Sequence, residues 1–585
     1  MTRPRRSASF SLLLVVVLAA TARGAGPADP LLKLVPPDAG LTLAVEDLGG
    51  HARTVLASPL WESLRRLPTV TRWQASNDAR GLKEAVSRVE AMLGVDLPAI
   101  RDGLVGRAVV LTLWVPPAAA PDTARGLLLA LVPNRPLLDR LLAGLNAAQS
   151  NDGGLRKVSE RRWSGIAYHV REFAPGTRPD EFYAVLDDGL FAWSNSEELI
   201  HGVIDRKTAG ATGLADVPAF REVRQKLPTG ALASLFLDPR FAERLLASSP
   251  RPAATRDERF VALMGRYLAA VRYVGAALTW HDGPVLHTEE LVDPSKLDPA
   301  LVRWAEQDEP ADPKFLRVPA TTLAVATARV DLRAVLDALY ALTPETERVR
   351  FDNGLVAAQG LLLGLDIRKE VLPLLGPGVT LYYDRPDGPR QPVVLSVQVP
   401  PTPAGARTMA AVDNALRTFL ALASLDPKRP ASGHRIETSN IGDAAVTGLG
   451  GEASPFLYAV HDGRVVVGAT RDAVARALAA LADPDAGTRF RQVRDRYCPG
   501  AQSFACVDLA ALHAFADAHR AGLARRSAER QHRPLDDATR DLDQALALID
   551  LFDAAYLSST IEPSFTRAHR TLGLVARQPP GQKQP

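Results

Sequence analysis

The chain has 585 residues, is 46% hydrophobic and 23% charged, carries a formal net charge of +3 and contains two cysteines. That length and apolar content exclude a disulfide-stapled miniprotein or a disordered chain, and they supply material for more than one core. Arg3, Arg5, Arg6 and Arg23 fall in the first 24 residues with no acid, so the remainder has 65 basic against 66 acidic residues. A global positive field of the kind nonspecific nucleic-acid binding needs is thereby excluded.

The N-terminus has the three zones of a secretory signal over residues 1–24: a basic start, an apolar run from Phe10 to Ala20, and the small-residue end Ala22-Arg23-Gly24. Cleavage near Gly24 and a periplasmic or extracellular destination in a bacterium are expected. The apolar run is short for a bilayer core of about 30 Å, which takes roughly 20 apolar residues, so no transmembrane span is expected in the mature chain. An uncleaved anchor is the alternative.

Beyond the signal the chain is written twice, in units 31–293 and 314–576. Leu93-Gly94-Val95-Asp96-Leu97 returns as Leu363-Gly364-Leu365-Asp366-Ile367, and Leu104-Val105-Gly106 returns as Leu374-Leu375-Gly376. Tyr183-Ala184-Val185 recurs as Tyr458-Ala459-Val460, and Phe220-Arg221-Glu222-Val223-Arg224 as Phe490-Arg491-Gln492-Val493-Arg494. An ordered series of matches is stronger than any one of them. Residues 294–313, rich in proline and charge, read as a linker, and 577–585 as a disordered tail.

In chain order, Leu41–Val45 and Thr322–Val325 are predicted strands that come after prolines. The spacing of Val86, Val89 and Leu93 predicts a helix over 82–93, and 330–339 is its second-unit counterpart. Gly94 and Gly364 then end helices in left-handed geometry. Ala108–Val115 with Gly126–Val132, and Val379–Tyr383 with Val393–Val399, read as antiparallel pairs because their connections are too short for a crossover helix. Phe182–Leu186 and Leu190–Trp193 flank the turn Asp187-Asp188-Gly189, and Leu457–Val460 and Arg464–Val467 flank His461-Asp462-Gly463; both predict hairpins. Ser196 and Thr470 stand at expected N-caps of helices over 197–205 and 471–481. Later strands are predicted at 231–237, 274–280, 285–292 and 503–507, with a weaker signal across 556–574. These elements predict an α+β fold class with two homologous units, each a largely antiparallel sheet packed with helices.

The search for chemistry assigns no catalytic, cofactor-binding or metal-binding residue. None of the eleven histidines stands in a His-Glu-x-x-His or His-x-His arrangement, and there is no Cys-x-x-Cys, Gly-x-Ser-x-Gly, phosphate loop or dinucleotide fingerprint. His281-Asp282-Gly283 and His461-Asp462-Gly463 read as turns with a solvent-facing histidine. Gly448-Leu449-Gly450-Gly451 reads as a flexible loop, and the neighbours Glu289 and Glu290 point to opposite faces of a strand. The arginines from Arg520 to Arg533 read as a solvated helix face. Cys498 and Cys506 lie too far apart along an extended stretch to bridge unless the turn at Pro499-Gly500 folds it back. Trp61, Trp73, Trp114, Trp163, Trp193, Trp280 and Trp304 are concentrated toward the first half and read as core or as the lining of a groove.

The opening proline-led strand, the Leu-Gly-x-Asp-Leu step and the Tyr-Ala-Val hairpin with a capped helix after it resemble large exported bacterial proteins classed as domains of unknown function. The resemblance implies a duplicated α+β architecture and carries over no site residue. The expectation is a non-catalytic binding or scaffold protein of the bacterial cell envelope whose partner is a protein or an apolar small molecule. The alternatives are a carrier of an apolar ligand in a cleft between the repeats and a hydrolase without local motifs.

Overall fold

A computed structural model describes residues 26–578 except 115–123, 177, 187–188, 243–264, 306–311, 344, 377, 387–391, 426–434 and 451–453. The expected signal, the Asp187-Asp188 turn and most of the expected tail lie outside the described residues. The chain divides into two compact units, one made of 1–255, 271–291 and 576–585, the other of 256–270 and 292–575.

The first unit contributes strands β1 (Leu41–Glu46), β2 (Ala108–Trp114), β3 (Arg125–Leu131), β4 (Leu155–Trp163), β5 (Ile166–Phe173), β6 (Glu181–Leu186), β7 (Leu190–Ser194), β8 (Ala233–Leu237), β9 (Val271–Trp280) and β10 (Pro284–Val292). They are hydrogen-bonded in the order β10, β9, β8, β1, β2, β3, β7, β6, β5, β4, and β1 is central, with Leu43 opposite Leu111 on one side and Leu235 on the other, both antiparallel. Alternation along a strand gives the sheet two apolar faces. Ala108, Val110, Leu127 and Leu129 face a core completed by Leu31, Leu32, Val203, Phe220 and Val223. Val109 and Ala130 face the other core, with Leu93, Leu137 and Leu138. Each buried leucine or valine contributes about 2 kcal/mol to holding a helix on its face.

The second unit contributes β11 (Thr322–Ala328), β12 (Val379–Asp384), β13 (Val393–Gln398), β14 (Ile436–Ile441), β15 (Ala444–Leu449), β16 (Leu457–His461), β17 (Arg464–Gly468), β18 (Ser503–Asp508), β19 (Phe552–Ile561) and β20 (Arg567–Ala576). Their order is β20, β19, β18, β11, β12, β13, β17, β16, β15, β14, which is the connectivity of the first unit strand for strand. Antiparallel sheet packed with helices makes the fold α+β. Val325, Tyr382, Val394 and Val466 form the second unit's core with Val474, Ala477 and Phe490.

Local sequence explains the boundaries. Gly94 caps the helix Asn77–Leu93 at φ +69°, and the Asp96 carboxylate accepts from the Ala99 amide at 2.9 Å to start the next helix. Gly364 has φ +85°, and Asp366 accepts from the amides of Arg368 and Lys369. Downstream of each aspartate both units form a π-helical turn, Arg101–Val105 and Ile367–Val371, a feature that no residue pattern announces. The β16–β17 turn has φ +47° at Asp462 and +67° at Gly463, the positive pair that matches strand twist. Thr470 caps its helix through Ala473 N at 3.2 Å, whereas Ser196 occupies the N-cap position without a side-chain bond.

Other expectations meet different outcomes. Gly448 is in β15 opposite Glu437 rather than in a flexible loop, because β14 supplies a partner strand that the sequence did not advertise; Gly451 lies outside the described residues. The stretch expected as a linker carries the helix Pro299–Ala305, whose Ala300 and Leu301 are buried with Ala338. The signal across 556–574 resolves into β19 and β20.

Candidate functional site

The first unit holds a cleft of about 1050 Å³. One wall is the helix Pro218–Lys226, started by Pro218 at its first turn. Phe220 and Val223 bury their side chains in the core, and the helical period then turns Arg221 and Arg224 toward the cleft. The facing wall is the N-terminal segment with the short helix Asp29–Leu32. The two walls are fixed by backbone contact near Gly213, where an added Cβ would stand 1.9 Å from the Lys33 carbonyl oxygen, and by the Leu214 amide donating to Val35 O at 2.9 Å.

The cleft is strongly cationic. Lys33, Arg107, Arg206, Lys207, Arg221 and Arg224 line it against only two carboxylates, Asp29 and Glu46. Those two acids are engaged by one cation: Arg224 Nη2 pairs with Asp29 and lies 3.4 Å from Glu46 Oε1. Burial pushes the Glu46 carboxyl up, and Arg224 only partly offsets this. Arg206 is half-buried; its Nε donates to Thr212 O at 3.0 Å, and its Nη1 is buried without a hydrogen-bond partner among the described residues. Desolvation lowers its pKa, opposed by the nearby carboxylates of Asp38 and Asp205. Gly202 leaves the space that this guanidinium occupies, since a Cβ there would meet Nη1 at 2.7 Å. The floor is apolar, with Phe220 against Phe236 at 4.6 Å between ring centroids.

Among the described residues no histidine or cysteine lines this cleft. Thr229 and Ser234 also line it, and its excess of cationic side chains suits the recognition of negative charge. The corresponding arginine of the second unit, Arg494, is 5% exposed, and the register that pairs Val45 with Val109 and Ala328 with Val379 puts Arg329 where the first unit has Glu46. The two units therefore differ in charge at this place.

The histidines do not converge. His51 is buried in the helix Leu48–Leu56, with Nε2 at 3.3 Å from Ala231 O. His201 stacks on Trp163 at 3.9 Å, next to a cluster in which Tyr168 donates to Glu197 at 2.5 Å and Arg161 pairs with the same carboxylate at 2.8 Å. The Trp163 ring covers the imidazole and its indole N–H is bound to Asp205, so this cluster ties β4 and β5 to the helix Glu197–Ala209. His461 lies 3.6 Å from Asp443. Glu289 is buried and Glu290 is half-buried, as opposite faces of β10 require. Among the described residues no group of three or more His, Cys, Asp or Glu is placed to hold a metal ion, and no helix is long and apolar enough to cross a membrane.

Both cysteines are free thiols buried in the second core. Burial pushes Cys506 up to about 12 and Cys498 in the same direction. Arg520, Arg525, Arg526 and Arg530 sit on the helix Arg520–Gln531, whose Ala524 and Ala528 face inward; Arg533 follows it, and Arg520 and Arg533 pair with Asp543 and Asp541. Trp61, Trp193 and Trp280 pack against buried clusters as the core reading expects, whereas Trp73 is 49% and Trp163 40% exposed. The indole N–H accounts for Trp114 and Trp163, which donate it to the carboxylates of Asp38 and Asp205. The side chain of Trp304 lies outside the described residues.

The cleft residues escape sequence reading because they come from segments far apart in the chain and form no motif. The one available signal is the placement of Arg221 and Arg224 beside the buried pair Phe220 and Val223. Compared with family models, with curated proteins and with solved structures, the chain matches none.

Proposed function

We propose that this chain is an exported, non-catalytic binding protein of the bacterial cell envelope, built from a duplicated α+β unit, and that its ligand occupies the cleft of the first unit. The observation that carries the reading is the cleft itself, about 1050 Å³ and lined by six cationic side chains among the described residues. Pockets of this size are typical for small ligands, and the charge excess of the lining favours recognition of an anionic molecule. The shared strand connectivity supports duplication, and the signal-like N-terminus supports export.

Native mass spectrometry of the mature chain, beginning near Ala25 and purified gently from an exporting host, tests the reading. A mass excess that dissociates as a small molecule, and that is lost when Arg224 and Lys33 are replaced together, is the expected result. A bare mass, combined with turnover of generic ester or peptide substrates, would favour a hydrolase instead.

A further inference from the structure

Resting on that reading, we infer that the cleft of the first unit selects ligands that carry two or more anionic groups, phosphate or carboxylate.

The charges are distributed for this. Lys33, Arg107, Lys207 and Arg221 are exposed and stand on separate elements, while Arg206 and Arg224 are half-buried below them. Asp29 and Glu46 are both engaged by Arg224, and the lining carries more cations than carboxylates. Arg206 contributes a second and independent observation. Its Nη1 is buried with no acceptor among the described residues, and desolvation depresses its pKa although Asp38 and Asp205 are near. Nη1 itself packs beside Gly202, but the half-buried guanidinium as a whole lines the cleft, and a partly desolvated cation attracts an incoming oxyanion more strongly than one in water. The guanidinium fork also matches two neighbouring oxygens of a carboxylate or phosphate. One anionic group cannot reach cations on several walls of a cleft this large, so affinity should rise with the number of anionic groups on one molecule.

The second unit provides the contrast. Where the first unit has Glu46 to hold Arg224 at the cleft wall, the matching position is Arg329, and Arg494 is buried. Selectivity for multivalent anions is assigned to the first unit, whose cleft carries the six cationic side chains.

Free oligophosphates and the diphosphate headgroup of cardiolipin present the same chemistry, and the experiment separates them. Isothermal titration of the full mature chain with tripolyphosphate should give a Kd at least about tenfold tighter than with inorganic phosphate, weakening as salt is raised. Arg206→Gln should cost about tenfold; the exposed Lys33→Gln, which leaves buried packing alone, should weaken binding in the same direction. Lys369→Gln in the second unit should not change it. Cosedimentation with cardiolipin vesicles but not phosphatidylcholine vesicles, lost in Lys33→Gln, would identify the membrane headgroup as the source; binding of tripolyphosphate alone would identify a free ligand. Equal affinity for inorganic phosphate and tripolyphosphate overturns the inference, as does selective binding that both cleft variants retain. A neutral small molecule released from the native protein would overturn the anion selectivity while leaving the binding reading intact. No binding of either phosphate together with a bare native mass would remove both.

Discussion

The guanidinium of Arg224 lies 3.4 Å from the carboxylate of Glu46, although 178 residues separate them in sequence. This contact joins the helix Pro218–Lys226 to the end of β1, and it exists because the helix packs on the face of the sheet to which β1 contributes Ala44. The side chains are 27% and 19% exposed, so the pair is partly screened. Arg224→Gln leaves Asp29 and Glu46 facing one another without a cation and should cost about 1–2 kcal/mol. Adding Glu46→Gln should return part of that loss. Urea denaturation of the two single variants and the double variant measures the coupling, and strict additivity would show that the pair contributes nothing.

His51 makes stability depend on acid. Burial lowers its pKa from 6.5 to about 4, with Asp47 opposing and Arg53 assisting the shift. The unfolded chain binds this proton more readily, so stability from the neutral imidazole is fully present above about pH 6.5 and is lost as pH falls toward about 4. The difference is on the order of 3 kcal/mol. Urea midpoints followed across that interval should drop, and in His51→Leu the drop should be smaller. Parallel profiles for the two proteins would refute the assignment.

The cysteines should be chemically silent in the folded protein. With Cys506 held at about 12 and Cys498 also raised, little thiolate forms at mildly alkaline pH. Ellman's reagent should titrate no thiol in the native chain and both after unfolding in guanidinium chloride. A fast native reaction at either position would place that thiol at the surface.

Gly487 and Gly500 separate backbone strain from steric collision. Both have positive φ, +71° and +76°, but a Cβ at Gly487 would stand 1.8 Å from the Leu316 carbonyl oxygen while one at Gly500 meets nothing within 4 Å. Gly500→Ala should therefore cost about 1 kcal/mol, the ordinary penalty of a left-handed alanine. Gly487→Ala must also push the Leu316 backbone away and should cost about 3 kcal/mol or more. Thermal denaturation of the two variants side by side measures the difference.

Much of the strand architecture is legible in the residues. β1, β2, β3, β6 and β7 are short apolar runs bounded by Pro, Gly and Asp, and the cap residues Gly94, Asp96, Gly364, Asp366 and Thr470 do in the structure what their chemistry requires. β4 is not legible. Its sequence LRKVSERRW is exposed along most of its length, and among the described residues it pairs only with β5. An outer strand with charged side chains resists pairing with other chains, and the same feature removes the apolar alternation by which strands are recognised. β14 lacks that alternation for the same reason. The π-helical turns after Asp96 and Asp366 depend on how their residues meet the rest of each unit, which no local pattern encodes.

The α+β class, the hairpins and the helix caps are written in the residues, because they arise from side-chain periodicity and from the backbone preferences of Gly, Pro, Asp and Thr over a few residues. The cleft is a product of tertiary packing. Lys33, Glu46, Arg107, Arg206 and Arg224 are spread over more than 190 positions of chain, and their meaning is a local charge density that exists once the Gly213 contact brings the two walls together. Electrostatic interaction depends on distance in space and on solvent exclusion, and neither quantity is written in the order of residues.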